Sequence, residues 1–317
     1  MLIPTLPWQT QLSARFDDML QRARMPHAVL LYGPSGTGKL VFARALAARL
    51  VCESPVAARA CGSCRGCMLV AAGSHPDSIE IMPVEGKADI AVEQVRTMIE
   101  RSTLTRHYGQ HRAVLVHPAE RMSVAAANTL LKTLEEPPAG TVIVLVTDRP
   151  NALLVTIRSR CQQFRLAKPD TAVAIDWLVA EHNLDRDAAA QLVDAAMGAP
   201  LRAFELSVDG GLAQREEVDA TLRKLLGKNA DPLAAAQQWS KLPMDQVLYW
   251  MNLRVVDLIK RSALGEVKLD LARLYCILDA ITAATRLHVG RGNPNAQLAL
   301  ETLALVWAGR HTFTKAT

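Results

Sequence analysis

Eight consecutive residues, Gly33-Pro34-Ser35-Gly36-Thr37-Gly38-Lys39-Leu40, restrict what this chain can fold into more than any other stretch. They follow an apolar run, Ala28-Val29-Leu30-Leu31-Tyr32, that reads as a buried strand. They open a helix-like run over residues 41–50. Strand, glycine-rich turn and helix are the parts of a P-loop. Gly33, Gly36 and Gly38 let backbone N–H groups curl round a phosphate, the helix N-terminus adds partial positive charge, and Lys39 reaches the β/γ-phosphates. One position departs from the pattern. A Ser or Thr after the lysine supplies the hydroxyl that holds Mg²⁺, and Leu40 has none. The sequence therefore carries a nucleotide cradle that lacks one part of a hydrolase.

The flanking sequence supplies the rest of an α/β unit. Residues 9–24 read as a helix with Leu12, Phe16, Met19 and Leu20 on one face. Residues 78–82, 113–116 and 141–147 read as strands. Between them, Val92, Val95 and Ile99 recur at helical spacing, with Asp89 placed to cap. Ser123 caps a helix over residues 124–135 that carries Ala127, Leu130, Leu131 and Leu134 on one face and stops at Pro137-Pro138. Strands alternating with helices imply a parallel sheet. After Phe164-Arg165-Leu166 the strand signal fades. Residues 170–206 suit two or three short helices, Gly210-Gly211 suits a linker, and the remainder reads as helices broken at Gly227, Pro232, Pro243, Gly265 and Gly290-Arg291-Gly292. The predicted domains are 1–167, 168–207 and 208–317. Half of the 317 residues are apolar and only 4% are aromatic, which favours a helix-rich chain over an all-β one.

The net charge of +5 permits contact with nucleic acid without demanding it, since a solvated basic surface gives the same number. The N-terminal residues lack a basic, then apolar, signal pattern, and no apolar run approaches the ~18–20 residues of a membrane span. A cytoplasmic protein without membrane contact is expected. Cysteines stay reduced there, so Cys52, Cys61, Cys64 and Cys67 point to a metal, with unpaired buried cysteines as the alternative. Four thiolates close a tetrahedron round Zn²⁺ and leave no open position, which makes a structural zinc the expectation. Cys276, in an apolar helical stretch, reads as core filler.

ATP chemistry in such a fold needs an acid at the end of a neighbouring strand to orient Mg²⁺, and often a Glu beside it to activate water. The strand over residues 113–116 is followed by His117-Pro118-Ala119-Glu120, so both places are empty of carboxylates. Leu40 and His117 are two independent defects, and nucleotide binding without hydrolysis is the most the cradle supports. Arg160, within Ser159-Arg160-Cys161, is either a solvated arginine or one presented at a subunit edge to a neighbour's ATP. Spacing does not separate the two readings. Arg202, after Gly198-Ala199-Pro200-Leu201, is either a surface arginine beside a turn or a phosphate sensor.

Taken together, these motifs resemble the AAA+ clamp-loader family. The resemblance rests on residues 27–34, the four-cysteine insertion, Ile90-Ala91-Val92-Glu93-Gln94-Val95-Arg96, the run Ala125-Ala126-Ala127-Asn128-Thr129-Leu130-Leu131-Lys132-Thr133-Leu134-Glu135-Glu136-Pro137-Pro138, residues 156–164, and the C-terminal Asn293-Pro294-Asn295-Ala296-Gln297-Leu298-Ala299-Leu300-Glu301. It implies a RecA-like AAA+ core with a zinc-binding insertion, a small helical lid and an all-α collar. It implies a hetero-pentamer with gamma/tau and delta subunits that opens a sliding clamp and places it on primer-template DNA within the polymerase III holoenzyme. It also implies roles: Arg160 as an arginine finger acting in trans on a gamma/tau ATP, Thr147 at the sensor 1 position and Arg202 at the sensor 2 position. With Leu40 and His117, the resemblance favours an ATPase-dead stator. The rivals are an active gamma/tau-like ATPase and a zinc-dependent nucleic-acid-binding module.

Overall fold

The computed structural model describes residues 5–227, 229–289 and 295–310. The chain divides into two compact units, Met1–Ser207 and Val208–Thr317.

The first unit is built on strands β1 (Ala28–Tyr32), β2 (Ser78–Ile81), β3 (Arg112–Val116), β4 (Thr141–Thr147) and β5 (Gln162–Arg165). They form one sheet in the order β2-β3-β4-β1-β5, and every neighbouring pair is parallel. Residues along each strand alternate between two cores. Leu30, Val114, Val116, Ile143 and Leu145 face one side, and Val29, Leu31, Leu115, Val142, Val144 and Val146 the other. Covering both faces is what turns β3 and β4 into unbroken apolar runs. The first face packs on α4 (Val92–Thr103), α5 (Val124–Glu135) and α6 (Val155–Arg158), through Val95, Met98, Leu130, Leu134 and Ile157. The second packs on α1 (Thr10–Gln21) and α2 (Lys39–Val51), through Phe16, Phe42, Leu46 and Leu50. Each such side chain contributes about 1.5–3 kcal/mol by leaving water. A short helix, α3 (Arg65–Ala71), lies within the four-cysteine segment.

Of two capping expectations, one holds and one does not. Ser123 caps α5 as its sequence predicts, accepting from the Ala126 N–H at 3.1 Å. Asp89 does not cap α4; the cap residue is Ala91, whose N–H donates to Gln94 Oε1 at 3.0 Å. The reason is Ile90. It is held extended by hydrogen bonds from its N–H to Arg121 O (2.8 Å) and from the Ser123 N–H to its own carbonyl (3.0 Å), so the helix starts only beyond it.

Beyond the sheet come α7 (Thr171–His182), α8 (Arg186–Ala195) and α9 (Pro200–Val208). Asp185 caps α8 through the N–H of Asp187 at 3.0 Å. The second unit consists, among the described residues, of α10 (Gly211–Leu226), α11 (Pro232–Trp239), α12 (Met244–Ala263), α13 (Leu271–Val289) and α14 (Ala296–Trp307). Within it α12 packs on α13 and α11 on α14. Trp239 and Trp307 are fully buried there, and the Trp307 indole N–H donates to Leu222 O at 3.2 Å. Cys276, expected in the core, is half-buried on α13. The expected break at Gly290-Arg291-Gly292 and the residues Asn293-Pro294 lie outside the described residues. Asn295 is described, and it caps α14 through the Leu298 N–H at 3.2 Å. Among the described residues, no helix is long and apolar enough to cross a membrane.

Candidate functional site

The glycine-rich turn joins β1 to α2. Gly33 has φ +150°, and a Cβ there would lie 2.1 Å from the carbonyl oxygen of Leu166, directly after β5. Gly36 has φ +72° and runs under the start of α9, where a Cβ would lie 2.9 Å from that of Arg202. The N–H of Leu201 donates to Gly36 O at 3.1 Å. From the other side the N-terminal segment ties down the turn's carbonyls: Trp8 Nε1 donates to Thr37 O (2.9 Å) and Gln9 Nε2 to Gly38 O (2.8 Å).

These elements enclose a cleft of about 340 Å³ lined by Gly36, Gly38, Lys39, Leu40, Arg44, His117, Thr147, Asp148, Leu201 and Glu205. Of the sequence-predicted residues, Gly36, Gly38, Lys39 and Thr147 line it, with Gly33 at the start of the same turn and Arg202 packed on Gly36. The polar groups in the cleft satisfy one another. Lys39 is 4% exposed; its ammonium donates to Pro34 O at 2.5 Å and lies 2.6 Å from Asp148 Oδ1. Thr147 accepts from the Arg149 N–H at 3.0 Å, and Arg202 pairs with Glu205 at 3.0 Å. Leu40 sits where a metal-binding hydroxyl is required.

At the end of β3, where a metal-orienting acid is required, His117 Nε2 lies 2.7 Å from Glu80 Oε1, and Arg44 NH2 donates to the same oxygen at 2.6 Å. Burial acts to raise the Glu80 carboxyl, but hydrogen bonds from His117 and Arg44 and the charge of Arg44 outweigh it and hold the pKa at about 2. Glu80 is thus held as an anion and already engaged by Arg44 and His117.

Arg160 lies apart from this cleft, between α6 and β5. Its Nε donates to Glu135 Oε1 at 2.7 Å, its NH2 donates to the same oxygen, and its NH1 donates to Thr156 O at 2.9 Å. The side chain keeps about a third of its surface exposed. Cys161 beside it is sunk in the apolar core, where burial pushes its thiol up to about 12.

The four cysteines converge. Their sulfurs all lie within 4.8 Å of one another, with Cys52–Cys64 and Cys61–Cys67 each at 3.9 Å. A tetrahedron with metal–sulfur bonds of about 2.3 Å has edges of about 3.8 Å, so the donor set fits Zn²⁺. Peptide N–H groups of Cys61, Cys64 and Cys67 donate to Cys52, Cys61 and Cys64 Sγ, each at 3.3 Å. Hydrogen bonds from the N–H groups of Ser63 and Cys64 lower the Cys61 thiol to about 6, while burial pushes Cys67 up to about 12 and also raises Cys52. A bound dication would make all four thiolates favourable.

Sequence reasoning missed Asp148, Glu80, Arg44 and Glu135, the partners that satisfy the predicted residues. Only Asp148 carried a signal, an acid at the end of the strand next to β1.

Residues 8–170 match the family described as DNA polymerase III, delta subunit. The DNA polymerase III subunit delta' of Pseudomonas aeruginosa is 35% identical over 321 residues, which cover 95% of this chain and 97% of that protein. The DNA polymerase III subunit gamma/tau of Mycobacterium tuberculosis is 31% identical over 223 residues, covering 69% of this chain and 38% of that protein. Among solved structures, a DNA polymerase III gamma subunit-related protein from Thermotoga maritima is 19% identical with a TM-score of 0.49, covering 93% of this chain and 99% of that one. The identity to subunit delta' over nearly the full length of both chains places this protein in the DNA polymerase III subunit delta' family.

Proposed function

We propose that the chain is the non-catalytic stator of a bacterial clamp loader, assembling with gamma/tau and delta subunits in a hetero-pentamer that places a sliding clamp on primer-template DNA. On this reading residues 168–207 are the lid over the cleft, residues 208–317 the collar that holds the ring, and the four-cysteine segment a structural zinc module. Contacts with DNA are to phosphates and independent of sequence. The observation that carries the reading is the state of the cleft. Lys39 is taken by Asp148 and Pro34 O, Leu40 offers no metal ligand, and Glu80, beside the place of the missing acid, is paired with Arg44 and in contact with His117. Phosphoryl transfer depends on a lysine, a metal and an acid acting together on one phosphate chain; here the lysine is already engaged, and Leu40 and His117 occupy the places of the metal-binding hydroxyl and the acid.

The useful chemistry lies at Arg160. A guanidinium brought to a neighbour's ATP neutralises charge that develops on the transferring phosphoryl group, with no reaction at its own site. Kinetics on the isolated full-length chain with Mg-ATP test the stator reading. The expected result is no turnover above background. Sustained hydrolysis would establish the rival, an active gamma/tau-like ATPase. The open cleft of about 340 Å³ favours retention of some nucleotide affinity, and binding without turnover agrees with the stator reading.

A further inference from the structure

The ion pair between Glu135 and Arg160 joins two places that the apolar core holds still. Glu135 is the last residue of α5 and follows Leu134, which is 1% exposed; His27 Nε2 lies 3.0 Å from Leu134 O and pins that helix end to the segment before β1. Arg160 precedes Cys161, which is buried in the same core as Leu134. The two side chains themselves are 50% and 34% exposed. A pair so exposed adds little to stability. Its effect is on orientation.

A guanidinium has five N–H donors in one plane. Nε and NH2 each give one to Glu135 Oε1, and NH1 gives one to Thr156 O. One N–H remains on each terminal nitrogen. Two such donors side by side match two oxygens of a phosphoryl group.

We propose that Glu135 is the positioning residue of Arg160: with the Thr156 carbonyl it fixes the guanidinium so that the remaining fork faces a phosphoryl group of the nucleotide held by a neighbouring subunit. The inference rests on the trans role of Arg160 given above. Without Glu135 the arginine keeps its charge and its reach but samples many rotamers, and orientation is lost in the transition state more than in nucleotide binding.

The test uses the reconstituted clamp-loader complex with primed DNA and clamp, measuring kcat and KM for ATP in the wild type, Glu135→Ala, Arg160→Ala and the double variant. Glu135→Ala should lower kcat about tenfold, the worth of a lost charge-assisted hydrogen bond, with KM little changed. The double variant should match Arg160→Ala alone, because Glu135 acts only through Arg160. A wild-type or raised kcat in Glu135→Ala overturns the proposal, since the pair is then idle or holds the finger back. So does an equal further loss in the Arg160→Ala background, or a loss that merely follows a reduced fraction of assembled complex on gel filtration. If Arg160→Ala itself leaves kcat unchanged, the trans role fails and positioning with it. A strong Arg160→Ala effect beside a silent Glu135→Ala sinks the positioning role alone.

Discussion

The ammonium of Lys39 and the carboxylate of Asp148 meet at 2.6 Å, at the end of the glycine-rich turn. Lys39 is 4% exposed, so the pair sits largely out of water on the lysine's side. A nucleotide entering the cleft has to displace Asp148 before the lysine can turn to it. Asp148→Ala should therefore raise the affinity of the isolated chain for ATP, by about tenfold at most, because the charge-assisted bond is half solvated. Titration with a fluorescent nucleotide measures this. Hydrolysis should stay absent, since Leu40 and His117 are unchanged.

The four-thiolate cluster should hold about one zinc per chain, the stoichiometry of a closed tetrahedral site. Elemental analysis of protein purified without added metal checks this. Cys64→Ala should lose the metal, while Cys276→Ala, on a helix of the second unit, should keep it. Removal of the metal by a chelator should loosen residues 52–71, read as faster amide exchange there, and leave exchange in β1, β3 and β4 unchanged.

Much of this architecture is written in local sequence. Val142 to Val146 is an unbroken apolar run because both faces of β4 are covered, and the turn from Gly33 to Lys39 is readable because backbone geometry leaves few alternatives to glycine there. The cysteine cluster is legible because four cysteines spaced within one short segment can bring their sulfurs together. What the sequence hides are pairings between distant residues. Glu135 with Arg160, Asp148 with Lys39 and Glu80 with His117 join separate elements, and apart from the strand-end position of Asp148 nothing local marks one exposed carboxylate as a partner and another as solvated. Asp89 misleads for a related reason: a good capping residue is overruled by Ile90, which a second loop holds extended. The strand β5 is faint because only Phe164 of its four residues is buried.

A buried ion pair sets part of the stability. Arg112 NH2 donates to Asp77 Oδ1 at 2.7 Å, and the two side chains are 3% and 0% exposed. Asp77 also accepts from the N–H groups of His107 (2.8 Å) and Tyr108 (2.9 Å). Burial acts to raise the Asp77 carboxyl, but the Tyr108 N–H, Arg112 and the His107 N–H outweigh it, and the pKa is lowered. A carboxyl lowered in the folded state contributes stability above its unfolded pKa of about 4, and the contribution is lost as pH falls through the folded value. Arg112→Met should cost about 3–5 kcal/mol at pH 7, because it strands a buried carboxylate. The gap to wild type should narrow as pH falls from about 4 toward the lowered folded value of Asp77, the window in which the wild type loses this contribution. Urea unfolding at pH 7 and pH 3.5 measures both.

Single-turnover hydrolysis of ATP by the assembled complex, with primed DNA and clamp present, bears most directly on the claim that this subunit acts on its neighbour's nucleotide. Arg160→Ala in this chain alone should slow the step by about tenfold or more, with the complex eluting unchanged on gel filtration, as expected for loss of an arginine finger. A wild-type rate from an intact Arg160→Ala complex would contradict the account.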